Sequence, residues 1–191
     1  QGEVKTTPLQ LCNLAAIIAN RGFFYTPHVH KPTAKKPLDE RFTVRHNIKA
    51  TPKAIEEVIA GMRSAVTNGT CASINTPTYQ ICGKTGTAEN TGDDHSVFIG
   101  FAPMNNPKIA ISVYIDNGGF GADLAAPLAA IILEKYLTGK LSDSSERHVK
   151  KWQSYAIEPP AQVDSTAIKA MKGKQMAQKK RKEIPVTLDN L

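Results

Sequence analysis

The chain has 191 residues, of which 41% are hydrophobic and 21% are charged, and its formal net charge is +7. These fractions are ordinary for a globular protein and exclude wholesale disorder or a fibre, and the length indicates one domain, or one domain with an extension. A membrane-spanning helix needs about 20 apolar residues, whereas the longest near-continuous apolar run covers only residues 124–133 and contains Pro127.

Two helices with the same start signal are predicted in the first part of the chain. The first begins at Thr7-Pro8-Leu9-Gln10, where Thr7 can cap the helix, Pro8 suits its first position and Gln10 can complete a capping box. Asn20-Arg21-Gly22 ends it. The second begins at Thr51-Pro52 and ends at Asn68-Gly69. Residues 27–49, rich in Pro, Lys and His, predict a loop with at most short strands.

Three strands and a helix are predicted next. A short strand over residues 79–82 enters Gly83-Lys84-Thr85-Gly86-Thr87, and residues 96–102 and 108–116 form two more strands. In the last of these, the β-branched residues at odd positions 109–115 face one way and the residues between them face the other. A helix over residues 123–138 follows. This order predicts an α+β fold, in which an antiparallel sheet is flanked by helices.

The C-terminal quarter holds most of the positive charge. Residues 1–139 carry 13 basic and 11 acidic side chains, and residues 140–191 carry 11 basic and 6 acidic ones. No aromatic side chain that could stack on a base follows Tyr155. We therefore predict a domain over residues 1–139, a basic flexible tail over residues 140–191 and no nucleic-acid partner. Contact of this tail with an anionic surface is the alternative.

The cysteines and histidines do not indicate a metal site. Cys12, Cys71 and Cys82 are odd in number and form no C-x-x-C pair. His28 and His30 could share one face of a strand, but a third ligand at suitable spacing is missing. We predict neither a metal nor a cofactor.

Gly83-Lys84-Thr85 could be the end of a phosphate-binding loop. That motif requires a further glycine five residues before Gly83, and this position is Thr78. The residues between them form a strand rather than a glycine-rich loop, so this interpretation fails.

The second interpretation is the Lys-Thr-Gly strand of active-serine enzymes that react with penicillin. Such a strand lies at a sheet edge beside the nucleophile, its Lys and hydroxyl groups bind the substrate carboxylate, and its Gly leaves room for the substrate. A backbone N–H after the Gly can form half of an oxyanion hole. Lys84, Thr85, Gly86 and Thr87 supply all these groups.

Several other stretches accompany this motif in a characteristic order. They are Gln1 to Val4, Thr7 to Leu11, Ala19 to Gly22 with Pro27 to Val29, Gly83 to Glu89, His95 to Pro103, and Gly118-Gly119 to Pro127. With them, residues 1–139 resemble the C-terminal part of the transpeptidase domain of class B penicillin-binding proteins. The resemblance is closest to the penicillin-binding protein 2 group of cell elongation.

The resemblance implies a fold related to that of the serine β-lactamases and a D,D-transpeptidase that cross-links peptidoglycan stem peptides. A serine would attack the penultimate D-alanine, release the terminal one and pass the acyl group to an amine. By analogy, Lys84 would support proton transfer and bind the carboxylate. Thr85 and Thr87 would hydrogen-bond that carboxylate, and the Thr87 N–H would line the oxyanion hole. His95 and Ser96 would have a supporting role.

The resemblance also implies partners and a location. The partners would be peptidoglycan stem peptides, β-lactams and proteins of the cell-elongation machinery. The domain would lie on the outer, periplasmic face of the bacterial cytoplasmic membrane.

Two elements of the family pattern are missing or misplaced. The nucleophile lies in Ser-x-x-Lys, and no serine of this chain has Lys three residues on. Ser73-Ile74-Asn75 matches the second element, Ser-x-Asn, but lies too close to Lys84, so we interpret it as a coincidence. Because the chain opens with Gln1 instead of Met, we expect it to begin inside a longer, membrane-anchored protein. These residues alone are then expected to be inactive.

Two other functions stay open at this point, a non-catalytic binding or sensor module of the same fold and a relative of the serine β-lactamases. Part of a sheet also leaves an unpaired edge. A dimer or a swapped assembly would be one way to cover it.

Overall fold

The computed structural model describes residues 4–154. Its helices are α1 (Pro8–Ala19), α2 (Pro52–Thr67), α3 (Ala125–Thr138) and α4 (Asp143–Gln153), and its strands are β1 (Phe23–Tyr25), β2 (Arg45–Asn47), β3 (Cys82–Ala88), β4 (His95–Ala102) and β5 (Ile109–Ile115). None of the helices within residues 4–154 has the length and apolar character that crossing a membrane requires.

The starts of the first two helices confirm the sequence prediction. The Gln10 N–H donates to Thr7 Oγ1, and the Thr7 N–H donates to Gln10 Oε1 at 2.8 Å, which completes the capping box of α1. At α2, the Ala54 N–H donates to Thr51 Oγ1 at 3.2 Å. Such caps satisfy N–H groups that have no partner inside the helix, and each contributes roughly 1 kcal/mol.

The main sheet is antiparallel and has the order β3-β4-β5. Its flanking helices confirm the predicted α+β class. The bounds of the first of these strands were wrong, however, because β3 begins at Cys82 and continues through the whole motif to Ala88. Two glycines in the motif lower its strand propensity, but seven consecutive residues of β3 pair with β4.

The two faces of this sheet pack against different helices. Phe98, Ile111 and Val113 lie in one buried cluster with α3, and Cys82 and Phe101 lie in another with α1 and α2. The predicted alternation of β5 is therefore confirmed. The helix residues buried in the two clusters are Ala125, Ala126, Ala129 and Leu133 of α3, Ala19 of α1, and Ile55, Ile59, Met62 and Val66 of α2, of which Val66 lies in the cluster with α3.

The segment over residues 27–49, predicted as a loop with at most short strands, contains one strand of three residues, β2. β2 pairs with β1 in a separate antiparallel ribbon. The Arg45 guanidinium lies 3.9 Å from the centre of the Phe23 ring, and His46 stacks on Phe24. Cross-strand contacts of this kind, rather than an apolar alternation, stabilise the ribbon.

The segment after residue 139 begins with a helix. Gly139, in the left-handed conformation at φ 79°, ends α3, and Ser142 then caps α4. Residues 155–191, which hold most of the predicted tail, lie outside the described residues. The boundary at residue 139 stays a prediction.

A buried serine joins the sheet to α3. Ser96 of β4 is completely buried, its hydroxyl donates to Phe120 O at 2.9 Å, and its Oγ accepts from the Ala125 N–H at 3.1 Å. The same oxygen thus satisfies the first N–H of α3 and holds the loop that leads into this helix.

We predict that Ser96→Ala lowers the free energy of unfolding by about 1–3 kcal/mol, because it leaves the buried Ala125 N–H without a partner and removes the hydrogen bond to Phe120 O. Ser112→Ala is the matched control on β5, since Ser112 Oγ is buried without a hydrogen-bond partner. We expect this control to be neutral or stabilising. Urea unfolding of the two variants measures the difference, and equal effects would contradict the role of Ser96.

Candidate active site

The motif lies at an open edge of the sheet. Lys84, Thr85, Gly86 and Thr87 belong to β3, which pairs with β4 on one side only. Within residues 4–154, no strand pairs with the other side of β3. The structure therefore brings the four predicted residues together on one accessible strand.

The register of β3 sends alternate side chains to opposite faces. Lys84 lies opposite Ile99, and Thr85 lies opposite Phe98, whose ring belongs to the cluster under α3. Thr85 and Thr87 therefore share the α3 face, whereas Lys84 and Gly86 share the face of α1 and α2. The Lys84 side chain bends back to the strand, where its Nζ donates to Thr85 O at 2.7 Å.

The packing of Gly121 shows which backbone groups point to the open edge. A Cβ at Gly121 would overlap the carbonyl oxygens of Gly86 and Val97 together. The two oxygens therefore lie close to each other, between the paired strands. Because backbone direction alternates along a strand, the N–H and C=O groups of Thr85 and Thr87 point away from β4. Thr85 O accepts from Lys84 Nζ, and the other three groups are available to an extended ligand.

A groove of about 470 Å³ runs between Lys84 and the second half of α2. Lys84 is exposed, and none of the ion pairs within residues 4–154 includes it. An uncompensated ammonium beside outward N–H groups is suited to a carboxylate. The α2 side of the groove is lined by Val58, Gly61, Met62, Ser64, Ala65, Asn68 and Gly69.

A second hydroxyl supports the strand, and no sequence pattern indicates it. Thr70, in the segment after α2, has its Oγ1 2.9 Å from Thr85 Oγ1. Either oxygen can be the donor. If Thr70 donates, the proton of Thr85 is free for a ligand, so the pair can orient the Thr85 hydroxyl.

The Phe98 ring determines how closely β3 packs onto the core. The completely buried Phe98 ring lies against both Gly83 and Gly100, where any side chain would overlap it. By contrast, a Cβ at Gly86 would meet Val97 at 3.4 Å, which is an ordinary contact. Gly83 is therefore needed for packing, whereas Gly86 leaves free surface beside the groove.

The remaining candidates lie away from the groove. Ser73 is in a short 3-10 turn before β3, and Asn75 accepts from Arg63 Nη2 at 3.0 Å. The Ser96 hydroxyl already makes hydrogen bonds with Phe120 O and the Ala125 N–H at the start of α3. His95 is the first residue of β4 and pairs with Ala88 at the far end of β3. Its Nδ1 lies 2.7 Å from Asp116 Oδ1.

Cys82 lies on β3 directly before the motif, with its side chain in the buried cluster of α1 and α2. Burial raises the pKa of Cys82 to about 11, so its thiol is not a ready nucleophile. Within residues 4–154, no three His, Cys, Asp or Glu side chains converge in a way that could hold a metal ion.

Comparison with known proteins places these features in a family. The model of the penicillin binding protein transpeptidase domain matches residues 1–134. The peptidoglycan D,D-transpeptidase MrdA of Acinetobacter baumannii is 37% identical over 160 residues, which are 72% of this chain and 23% of the relative. MrdA of Haemophilus influenzae is 33% identical over 78% of this chain and 26% of its own length. The chain thus spans about a quarter of these relatives.

Solved structures show the same similarity. Pseudomonas aeruginosa PBP2 in complex with WCK 5153 superposes with a TM-score of 0.63 and 34% identity over 75% of this chain and 33% of that one. The imipenem acyl-enzyme complex of penicillin-binding protein A from Mycobacterium tuberculosis gives a TM-score of 0.60 and 32% identity, over 72% of this chain and 32% of that one.

The two glycines of β3 give a testable contrast. We predict that Gly83→Ala lowers the free energy of unfolding by about 1–3 kcal/mol, because the new methyl group overlaps the Phe98 ring. Gly86→Ala should be neutral or stabilising by up to about 1 kcal/mol, because alanine restricts the unfolded chain and finds space. Urea unfolding of both variants checks this, and a greater loss in Gly86→Ala would contradict the packing described.

Proposed function

The chain belongs to the penicillin-binding protein transpeptidase family, and from this premise we propose that it forms one wall of the active site of a peptidoglycan D,D-transpeptidase. The proposed domain covers residues 1–139, and residues 140–191 are a basic extension. The resemblance inferred from the sequence is confirmed by the family match over residues 1–134. The activity and substrates of the longer protein are part of the proposal, since the chain spans only about a quarter of its curated relatives.

The observation that carries the proposal is the open edge of β3 beside the Lys84 ammonium. A stem peptide can add to this edge as an extended strand, and the N–H and C=O groups of Thr85 and Thr87 can pair with its backbone. Gly86 lets the peptide approach the strand closely. This arrangement supports a linear peptide substrate with a carboxylate at its end.

The proposed chemistry is acyl transfer in two steps. A serine oxygen forms a bond to the carbonyl carbon of the penultimate D-alanine, and the C–N bond to the terminal D-alanine breaks, with a proton passing from the serine to the leaving amine. An acceptor amine then takes the acyl group, and its proton returns to the serine. The Thr87 N–H would stabilise the oxyanion in both steps.

Each predicted residue has a distinct task in this scheme. Lys84 binds the terminal carboxylate and lowers the cost of proton transfer through its positive charge. Thr85 and Thr87, on the other face of β3, donate hydrogen bonds from their hydroxyl groups to the same carboxylate at the open edge of the strand. The nucleophile would come from residues outside these 191, because none of the serines here has Lys three residues on.

The proposal includes partners and a location. β-Lactams would acylate the same serine, in line with the imipenem acyl-enzyme complex of the Mycobacterium tuberculosis relative. We propose stem peptides as substrates, elongation-machinery proteins as partners, and the outer face of the cytoplasmic membrane as the location. Association of two copies stays a prediction.

The first test is covalent labelling with a fluorescent penicillin. We expect the longer protein that contains these residues and a Ser-x-x-Lys serine to be labelled in denaturing gels, and the 191-residue chain alone to stay unlabelled. An absence of Ser-x-x-Lys from the longer protein would favour a binding or sensor module. Rapid release of hydrolysed penicillin would favour a β-lactamase.

The second test concerns the charge of Lys84. In the longer protein, Lys84→Gln should slow acylation by about 100-fold or more, because it removes both the carboxylate partner and the support for proton transfer. Lys108→Gln is the control, since Lys108 is exposed directly before β5. Stopped-flow nitrocefin acylation measures both, and equal rates in the two variants would contradict the role of Lys84.

The third test concerns Thr70 as a positioning residue. Thr70→Val should weaken β-lactam binding before acylation by about 5- to 10-fold, because the Thr85 hydroxyl loses its neutral hydrogen-bond partner, and should leave the subsequent acylation step nearly unchanged. Thr70→Ser retains the hydroxyl and should restore binding. If both variants behave alike, Thr70 has only a structural role.

A further inference from the structure

A cavity of about 280 Å³ lies between α3, α4 and the segment that enters β3. It is distinct from the groove beside Lys84, with which it shares no lining residue. Its apolar wall is formed by Ile74, Ile81, Pro127, Ala130 and Ile131, and hydroxyl groups, His148 and the carboxylate of Glu134 form the rest.

Glu134 has one satisfied and one unsatisfied oxygen in this cavity. Its Oε1 accepts from the Ser142 N–H at 3.2 Å. Its Oε2 is shielded from solvent and has no hydrogen-bond partner. A buried carboxylate oxygen without a donor is costly, so the absence of a donor points to a ligand.

The Glu134 carboxylate carries a negative charge that no protein cation balances. None of the ion pairs within residues 4–154 includes Glu134. Partial burial acts to raise the pKa of Glu134, but the polar groups of Ser145 and Ser142 beside the carboxylate outweigh it and leave this pKa below its usual value. None of these groups makes a hydrogen bond to Oε2, and the Ser142 hydroxyl donates to Ser145 Oγ at 3.3 Å. The group is therefore ionised at neutral pH.

The surroundings of Glu134 indicate which class of ligand this cavity can bind. A divalent metal ion prefers six or more oxygen ligands with several carboxylates, and no such group of acidic side chains converges within residues 4–154. A water molecule would supply a donor but no charge. From the orphaned oxygen, the uncompensated charge and the apolar wall, we propose that this cavity binds a primary ammonium group on a short aliphatic stem.

Two further groups in the cavity can accept hydrogen bonds from the other N–H groups of an ammonium. His148 Nδ1 lies 3.0 Å from Ser144 O, and a carbonyl can only accept, so this nitrogen carries the proton. With the proton on Nδ1, Nε2 is the ring nitrogen that can accept a hydrogen bond. Burial and the charge of Glu134 raise the pKa of Tyr79 to about 12, so the Tyr79 hydroxyl stays protonated, and its oxygen can accept a hydrogen bond.

The experiment measures binding of n-propylammonium chloride to the complete 191-residue chain. The only tryptophan of the chain, Trp152, lies 6.0 Å from the His148 ring and reports binding by fluorescence. We expect saturable binding in the millimolar range. Tetramethylammonium and n-propanol, at equal ionic strength, should bind at least tenfold more weakly, because one cannot donate and the other has no charge. Equal responses to the three compounds would overturn the proposal.

Variants of the two acidic residues complete the test. Glu134→Gln should weaken propylammonium binding by about tenfold or more, because it removes a charge-assisted hydrogen bond. Glu146→Gln, which changes an exposed carboxylate at the first turn of α4, should bind as the unchanged chain does. Circular dichroism confirms folding of each variant. If Glu134→Gln does not fold, the comparison of the three compounds with the unchanged chain decides. Undiminished binding by folded Glu134→Gln would also overturn the proposal.

Discussion

The register of β3 against β4 is the constraint on which the candidate site depends. Because side chains alternate with period two, a slip of one residue would send Lys84 under α3 and turn Thr85 and Thr87 toward α2. The buried Phe98 ring, held between Gly83 and Gly100, opposes such a slip, since a shift of one residue would place Cys82 or Lys84 opposite Gly100, where a side chain would overlap the ring. Packing in the core therefore determines the chemistry at the edge.

The loop between β5 and α3 connects the paired strands β3 and β4 to α3. Gly121 lies directly over the carbonyl groups of Gly86 and Val97, and Ser96 holds the carbonyl of the next residue back, Phe120. The start of α3 is thus bound to the two strands that form the site. A glycine at position 121 is required because a Cβ would separate the loop from the sheet.

Local signals made much of the fold predictable, and long-range contacts account for what was missed. Thr7 and Thr51 act through neighbours three residues away, so their helix starts could be recognised in the sequence. Short strands were allowed in residues 27–49, but the position of β2 was not specified, because aromatic and cation contacts across the ribbon stabilise it, without an apolar alternation. The motif Lys84 to Thr87 was recognised by its residue types, but the support that Thr70 gives to Thr85 joins residues 15 positions apart. No sequence pattern indicates such a hydroxyl pair.

Within residues 4–154, the three-stranded sheet has two outer strands, β3 and β5. Both have backbone N–H and C=O groups that could pair with an added strand, but such pairing would have a different effect at each edge. At β5, an added strand would extend the sheet without touching the groove beside Lys84. At β3, an added strand would occupy the N–H and C=O groups of Thr85 and Thr87. Aggregation of the chain through β3 and inhibition of the site would therefore be one event, and a substrate that binds this edge also protects it from self-association.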